Sequence, residues 1–238
     1  MIWVKDKTGK FVKRPHYDPS ELDAECEQII SGFLLKKYGK VEYPVKTDDL
    51  TILIEEKADL DLYADLSQEP GEVEGVTKFV AGQKPAVRIS VALSASYLEN
   101  RLRTTLTHEY GHVHFHRFLF EDRESSTPSL FGQQQENGNT CYRDGMVSAP
   151  EMNWMEWQAG YVCGAILMPA SALVAAVQRF RDENDLRYCN ISLNSDVGAK
   201  LITSVSAAFQ TSQDAARVRL LKKGILVNMG VRQAASLF

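Results

Sequence analysis

The sequence predicts an α+β fold in which a small antiparallel sheet packs on a long helix and further helices follow. Apolar residues recur at helical spacing near both ends of the chain, and two short segments between them alternate apolar and polar residues as strands do. The last part of the chain has the pattern of short helices joined by turns. With 238 residues, 44% of them hydrophobic, the chain is long and apolar enough to bury a core.

Charge and cysteine usage narrow the class of protein. The net charge of −4 gives no general electrostatic reason to expect nucleic acid or anionic lipid as a partner. No apolar run approaches the roughly 18 residues that span a bilayer, and the first residues lack the apolar centre of a secretory signal. The lack of an apolar span predicts no membrane association. The cysteines form no CxxC pair, which favours reduced thiols in a cytoplasmic protein. They are Cys26, Cys141, Cys163 and Cys189, of which the first and third lie in helical patterns and are expected in the core.

The first half of the chain predicts two helices and then strands. Asp18-Pro19-Ser20-Glu21 has the pattern of a capping box with proline at the first helical position, and Gly39 is expected to end the helix. A second, shorter helix is predicted over 48–57, and 60–66 is expected to be extended. The segments GVTKFVA and AVRISVAL, separated by a glycine-containing turn, predict a β-hairpin.

The next helix, expected over about 96–118, contains four of the five histidines, in the stretch TTLTHEYGHVHFHRF. Ser94 or Ser96 is a candidate N-cap. The apolar residues of this helix are spaced by four, four and seven, which predicts an amphipathic helix packed on the sheet. These residues are Leu98, Leu102, Leu106 and Val113.

The histidine-rich helix contains an HExxH motif, formed by His108, Glu109 and His112. Residues four apart lie on one face of a helix, so the two imidazoles can bind one cation. Glu109 lies outside that row but can reach a water held by the metal, as a catalytic base does. Gly111 leaves room beside the ligands for a strand or a substrate.

The remaining histidines are poor candidates for the same ion. His116 lies about 12 Å along the axis from His108, so it is expected to support a ligand from behind or to be a polar residue near the helix end. His114 points away from both neighbouring histidines and is expected to be solvated. His16 is distant in sequence and has no partner signal.

A catalytic zinc site needs a third protein ligand and one position for water. Glu156 is the best candidate, because it falls within the apolar stripe of a helix predicted over about 152–168, where an ionised carboxylate needs a partner. Other acidic residues lie in or beside a segment predicted to be a long loop, 121–150, and are expected to be solvated. These alternatives are Glu151, Asp144, Glu121 and Asp122.

These motifs resemble the ImmA/IrrE family of metallo-endopeptidases. Family members carry basic residues followed by T-L-A-H-E-x-G-H, and here the segment is RLRTTLTHEYGH. Their downstream motif E-x-x-A-N-x-F-A-A-x-L-L-M-P is similar in length and register to EWQAGYVCGAILMP, which begins at Glu156. VEGVTKFVAGQKPAVRIS and SAAFQTSQDAARVRLLKKGIL are similar too, so the resemblance extends from the first helix to about Leu226.

The resemblance implies a zincin-like metallopeptidase domain over 1–169 and a helical C-terminal subdomain over 170–238. It implies His108, His112 and Glu156 as metal ligands and Glu109 as the base, in agreement with the argument from the residues. Three features depart from the family: Gly160 replaces its asparagine, Val162-Cys163-Gly164 replaces its Phe-Ala-Ala, and the 121–150 loop is longer than usual. Cys163, two turns from Glu156, could lie near the site or fill the core.

The implied function is metal-dependent cleavage of a helix-turn-helix repressor, which would release transcription. Zinc suits two histidines and a glutamate best, although manganese or iron suit them too. Candidates to stabilise the oxyanion are Tyr142, Arg143 and Tyr161. A structural zinc domain without hydrolysis is a further alternative.

The other alternative is a non-catalytic regulator that binds DNA or a repressor through its C-terminal helices. Residues 197–238 hold six lysines and arginines against a single acidic residue, Asp214. Two helices with a turn near Gln210 could resemble a helix-turn-helix. A packed helical cap with a solvated basic face has the same pattern.

Overall fold

One helix, Glu99–His116, is buried on almost every side, and the other elements surround it. The computed structural model describes residues 1–69, 71, 73–121, 137–142, 153–186 and 190–228, with the backbone alone for 121 and 137–142. In these ranges the helices are α1 (Pro19–Tyr38), α2 (Thr47–Glu55), α3 (Glu99–His116), α4 (Phe118–Glu121), α5 (Trp154–Leu167), α6 (Ala170–Glu183), α7 (Asp196–Phe209) and α8 (Gln213–Lys222). The strands are β1 (Ile2–Lys5), β2 (Lys13–His16), β3 (Asp59–Ala64), β4 (Val73–Phe79), β5 (Ala86–Ser90), β6 (Asn137–Tyr142), β7 (Ile191–Ser192) and β8 (Leu226–Val227). The mixed α and β content confirms the α+β class.

The main sheet has the strand order β3-β5-β4-β6. Strands β4 and β5 form the predicted antiparallel hairpin, and β6 adds an antiparallel strand to β4 within the segment predicted to be a loop. The expectation of a wholly antiparallel sheet is wrong, because β3 pairs in parallel with β5. Strand β3 lies beside β5 and not beside β4, the strand that follows it in the chain. It is therefore not joined to its neighbour by a hairpin, which would make the pair antiparallel.

The helix boundaries agree with the sequence in the first half of the chain. At the start of α1 the backbone N–H of Asp18 donates to Glu21 Oε2 at 3.0 Å, and Gly39 ends the helix at a φ of 70°. The predicted cap of α3 is wrong. Two short 3₁₀ turns occupy Val91–Ser94 and Ser96–Leu98, so that Leu98 becomes the N-cap residue.

Helix α3 is more buried than an amphipathic pattern predicts, since it lies between β4 and α5 and also contacts α2. Its polar residues tolerate burial because their side chains bond locally. Thr104 and Thr107 donate to the carbonyls of Asn100 and Arg103, each at 2.8 Å. The fully buried Arg103 side chain donates to carbonyls outside α3, including Gln210 at 3.0 Å, and so links α3 to the end of α7.

Two glycines bring α3 close to its neighbours. A Cβ at Gly75 of β4 would lie 2.8 Å from Glu109 Oε1, and a Cβ at Gly111 would lie 2.9 Å from the Cα of Ala159 in α5. The sequence predicted room for a strand or a substrate beside Gly111, but helix α5 occupies that space.

The C-terminal helices share a hydrophobic core with the rest of the chain. Leu173, Leu201 and Leu220, from α6, α7 and α8, belong to the same buried cluster as Leu22 of α1 and Leu106 of α3. The hydrophobic core therefore continues across residue 169, where the sequence predicts the boundary between two subdomains.

A buried ion-pair network joins α8 to α1. Asp23 is 5% exposed and lies 2.7 Å from both Arg219 Nη2 and Lys223 Nζ, and it also accepts a hydrogen bond from the Tyr161 hydroxyl at 3.0 Å. Burial raises the pKa of Asp23, but the two cations and the hydrogen bonds lower it by more, so that the net pKa is below its usual value.

Across the part of the chain that the structure describes, no single helix has the length and apolar composition needed to cross a membrane. Helices α5 and α6 reach that length only when taken together, and they are bent by 59° with respect to each other.

Substituting Gly111 with alanine should destabilise the protein by about 1–3 kcal/mol, because the new methyl group meets the backbone of α5 and forces the helices apart. Gly32→Ala is the matched control. Gly32 lies within α1 with nothing in the way of a Cβ, so the same change there should stabilise by roughly 0.4–1 kcal/mol. Urea unfolding of both variants measures the difference, and equal stabilities would contradict the close α3–α5 contact.

Replacing Asp23 with asparagine should cost roughly 3–5 kcal/mol at neutral pH, because it leaves Arg219 buried without its counter-charge. Since folding lowers the pKa of Asp23, the charged form stabilises the protein above the unfolded-state pKa of about 4. The stability difference between wild type and variant should therefore shrink as the pH falls below about 4. A difference that stays constant from pH 7 to pH 3 would rule out the ion pair as its cause.

Candidate metal centre

Three predicted ligands converge between α3 and α5. Glu156 Oε2 lies 3.0 Å from His108 Nε2, and Glu156 Oε1 lies 3.3 Å from His112 Nε2. The two imidazole nitrogens are 3.1 Å apart. Both histidines are fully buried and the Glu156 side chain is 13% exposed, so the group lies at the edge of the interior.

The spacing of these atoms fits a single metal ion. Ligand atoms that each lie about 2.0–2.1 Å from a tetrahedral zinc ion are roughly 3.3–3.4 Å from one another. The two nitrogens, and the carboxylate oxygen nearest to each of them, have separations of 3.0–3.3 Å, and the three residues form a group able to hold a metal. A His₂Glu set supplies three ligands, which leaves one position of a tetrahedral site for solvent or substrate.

The electrostatics of the group favour a bound cation. Burial raises the pKa of Glu156, but the adjacent imidazoles lower it much further, so the carboxylate is held in its charged form. Burial lowers the pKa of His112, and the Glu156 carboxylate more than offsets this, which gives a net increase. The Glu156 carboxylate therefore stabilises positive charge beside it, and a bound cation would supply such a charge.

Glu109 lies on the sheet side of α3. Its Oε2 accepts a hydrogen bond of 2.5 Å from the Thr77 hydroxyl of β4, and the carboxylate is fully buried against Gly75. Among the described residues its other oxygen, Oε1, has no hydrogen-bond partner. A buried carboxylate oxygen without a partner is costly, which suggests that this atom binds a group that arrives with the metal or the substrate.

Behind His112 lies a chain of buried hydrogen bonds. His112 Nδ1 is 3.1 Å from His116 Nδ1, and His116 Nε2 is 3.0 Å from Gln158 Oε1. The Gln158 amide nitrogen donates to the carbonyl of Pro15 in β2 at 3.1 Å. Burial and the neighbouring His112 lower the pKa of His116 well below its usual value, so this ring is neutral. The contact between His116 and His112 agrees with the first of the two expectations for His116, that it supports a ligand from behind.

The expectation that His114 is solvated is wrong. Its Nε2 lies 2.9 Å from Glu25 Oε1, its Nδ1 lies 2.7 Å from Lys57 Nζ, and its side chain is only 17% exposed. Glu25 of α1 and Lys57, just after α2, cover this face of α3. The spacing of residues along one helix does not reveal which other elements pack against it. His16, in β2, is half exposed and lies 4.0 Å from Asp18, away from the metal ligands.

Cys26 and Cys163 are buried free thiols, as expected. The Cys163 thiol donates to the carbonyl of Thr104 at 3.5 Å, and burial raises its pKa to about 11, so it is a core residue facing α3. Of the oxyanion candidates, Tyr161 is excluded by position, because its buried hydroxyl bonds to Asp23 on the α1 side.

Several sequence candidates lie outside the described residues. They are Asp122, Arg143, Asp144, Glu151 and Cys189, together with the side chains of Glu121, Cys141 and Tyr142. Thr77 and Gln158 were not predicted from the sequence as part of the site. Thr77 is one polar residue in a buried strand, and Gln158 lies two positions after Glu156, so neither carries a signal in spacing or composition.

Comparison of the chain with protein-family models, curated proteins and solved structures gave no match.

The protein should bind one zinc ion, and Glu156→Ala should lower the affinity by at least 100-fold because it removes one of three ligands. Chelator competition at constant pH measures the affinity. Glu25→Ala is the matched control, since that carboxylate also pairs with an imidazole of α3 but lies outside the group. Equal zinc affinity in the two variants would exclude Glu156 as a ligand.

Proposed function

We propose that the protein is a metal-dependent endopeptidase of the ImmA/IrrE type. The observation that supports this best is the convergence of three side chains: His108 Nε2 and His112 Nε2 lie 3.1 Å apart, and the two Glu156 carboxylate oxygens lie 3.0 Å and 3.3 Å from them. The proposed base, Glu109, lies on the same helix as the two histidines. Zinc fits the donor set best. When bound, the ion would supply the Lewis acidity that activates a water and polarises a peptide carbonyl.

The residues around Glu109 prepare it to act as a general base. The Thr77 hydroxyl holds one carboxylate oxygen and fixes the orientation of the side chain, while the partnerless Oε1 is free to accept a proton. In peptide hydrolysis Glu109 takes a proton from the attacking water and donates it to the leaving amide nitrogen. A structural zinc domain would not need this second buried carboxylate, and its presence supports the hydrolase over that alternative.

The proposed substrate is a helix-turn-helix repressor in the cytoplasm, whose cleavage would release transcription. This part of the proposal rests on the sequence resemblance, namely RLRTTLTHEYGH and EWQAGYVCGAILMP. A protein substrate also agrees with a ligand group at the edge of the interior, where the 13% exposed Glu156 gives access from one side.

The basic C-terminal residues give little support to DNA binding as the main function. Arg219 is 2% exposed and pairs with Asp23, as does Lys223, while the Lys222 ammonium lies 5.3 Å from the centre of the Tyr161 ring. Arg217 bonds to Asp214 on its own helix. Much of the charge that predicted a nucleic-acid surface is therefore used inside the fold or neutralised locally.

Glu109→Gln should keep zinc but lower the cleavage rate by roughly 10²–10⁴-fold, because the amide cannot accept the proton. The assay uses the repressor encoded nearest to this protein, with wild type and a chelator-treated sample as references. Glu25→Gln is the control that should leave cleavage unchanged. Undiminished cleavage by zinc-loaded Glu109→Gln would remove Glu109 from this role.

A further inference from the structure

The hydrogen-bond chain behind His112 starts from a group whose role is unambiguous. The Pro15 carbonyl can only accept a hydrogen bond, so the Gln158 side chain must direct its NH₂ group toward it, at 3.1 Å. The amide oxygen of Gln158 then necessarily faces His116. The orientation of this amide is thus set by the backbone of β2.

Each subsequent group in the chain has only one arrangement of protons that fits. Gln158 Oε1 is an acceptor, so His116 Nε2, 3.0 Å away, must be the donor. A neutral His116 protonated at Nε2 has a bare Nδ1, which is an acceptor. The partner of that nitrogen, His112 Nδ1 at 3.1 Å, must therefore carry a proton.

We infer that His116 and Gln158 are positioning residues that hold the proton of His112 on Nδ1 and so leave its Nε2 lone pair directed at the metal. The inference rests on the metal centre of the proposed function but not on its hydrolytic activity. Hydrogen bonding at one ring nitrogen of a ligand histidine commonly sets which nitrogen binds the metal. Here the effect originates in the backbone of β2, to which Pro15 belongs.

The reverse arrangement of protons would be unfavourable to metal binding. If His116 donated through Nδ1, the neutral His112 ring would carry its proton on Nε2, facing His108 Nε2 and Glu156. That proton would have to be removed before the nitrogen could coordinate. The side chains of this hydrogen-bond network, His112, His116 and Gln158, are all buried, so solvent does not offer replacement partners.

Nitrogen-15 NMR of the histidine-labelled full chain tests this assignment directly, with and without zinc. We expect His116 to be the Nε2–H tautomer with a bare Nδ1, and His112 to carry a proton on Nδ1 in both samples. This expectation holds whether metal-free His112 is neutral or doubly protonated. A proton on His116 Nδ1, or a bare His112 Nδ1, would overturn the inference.

Zinc affinity provides the second measurement. Gln158→Leu removes the acceptor of His116 and should lower zinc affinity by roughly 10–100-fold. Gln158→Glu restores an acceptor and should recover most of that loss, which a merely structural role for the position would not predict. His114→Gln is the control. His114 lies on the same helix but pairs with Glu25 and not with the His112–His116–Gln158 hydrogen bonds, so its replacement should leave zinc affinity unchanged.

The outcomes separate this inference from the proposed function. Zinc binding with the expected tautomers but without peptidase activity would contradict the proposed function alone. Peptidase activity with the reversed tautomers would contradict the inference alone. If Gln158→Leu does not fold, the wild-type tautomers and the Gln158→Glu affinity still decide the matter.

Discussion

The contact between α3 and α5 is the constraint on which the metal centre depends. Gly111 lets the backbone of α5 approach at Ala159, one turn after Glu156, where an added methyl group would lie 2.9 Å from the Ala159 Cα. This approach allows a carboxylate from one helix to reach two imidazoles of another. The sheet fixes the opposite side of α3 through Gly75 and Thr77, which hold Glu109. The candidate metal ligands and the proposed base are therefore positioned by two close contacts of a single helix.

Two of the buried acidic sites in the described residues differ in how their charge is compensated. Asp23 is matched by the cations Arg219 and Lys223, which belong to the chain itself. Among the described residues, Glu156 has ion-pair contacts only with two imidazoles, and the nearby Glu109 accepts only a neutral hydroxyl. A divalent cation would balance the negative charge of these two carboxylates. The first network stabilises the fold, whereas the second has the properties of a binding site.

The sequence predicted the ligand group because helical periodicity and the cost of a buried charge are local or nearly local signals. His108 and His112 follow from a spacing of four, and Glu156 from its place in an apolar stripe. The parallel pairing of β3 depends on which strand edge is open, and the partners of His114 come from α1 and the end of α2. Thr77 and Gln158 owe their roles to contacts across the fold. Such long-range contacts leave no trace in the periodicity of a single sequence.

X-ray absorption at the zinc edge of the loaded wild-type protein tests the central claim most directly. The account predicts nitrogen and oxygen neighbours only, with two imidazoles at about 2.0–2.1 Å and the remaining positions occupied by oxygen. Sulfur at about 2.3 Å, or a site without two imidazoles, would show that the ion is held elsewhere and would contradict the metal centre between α3 and α5.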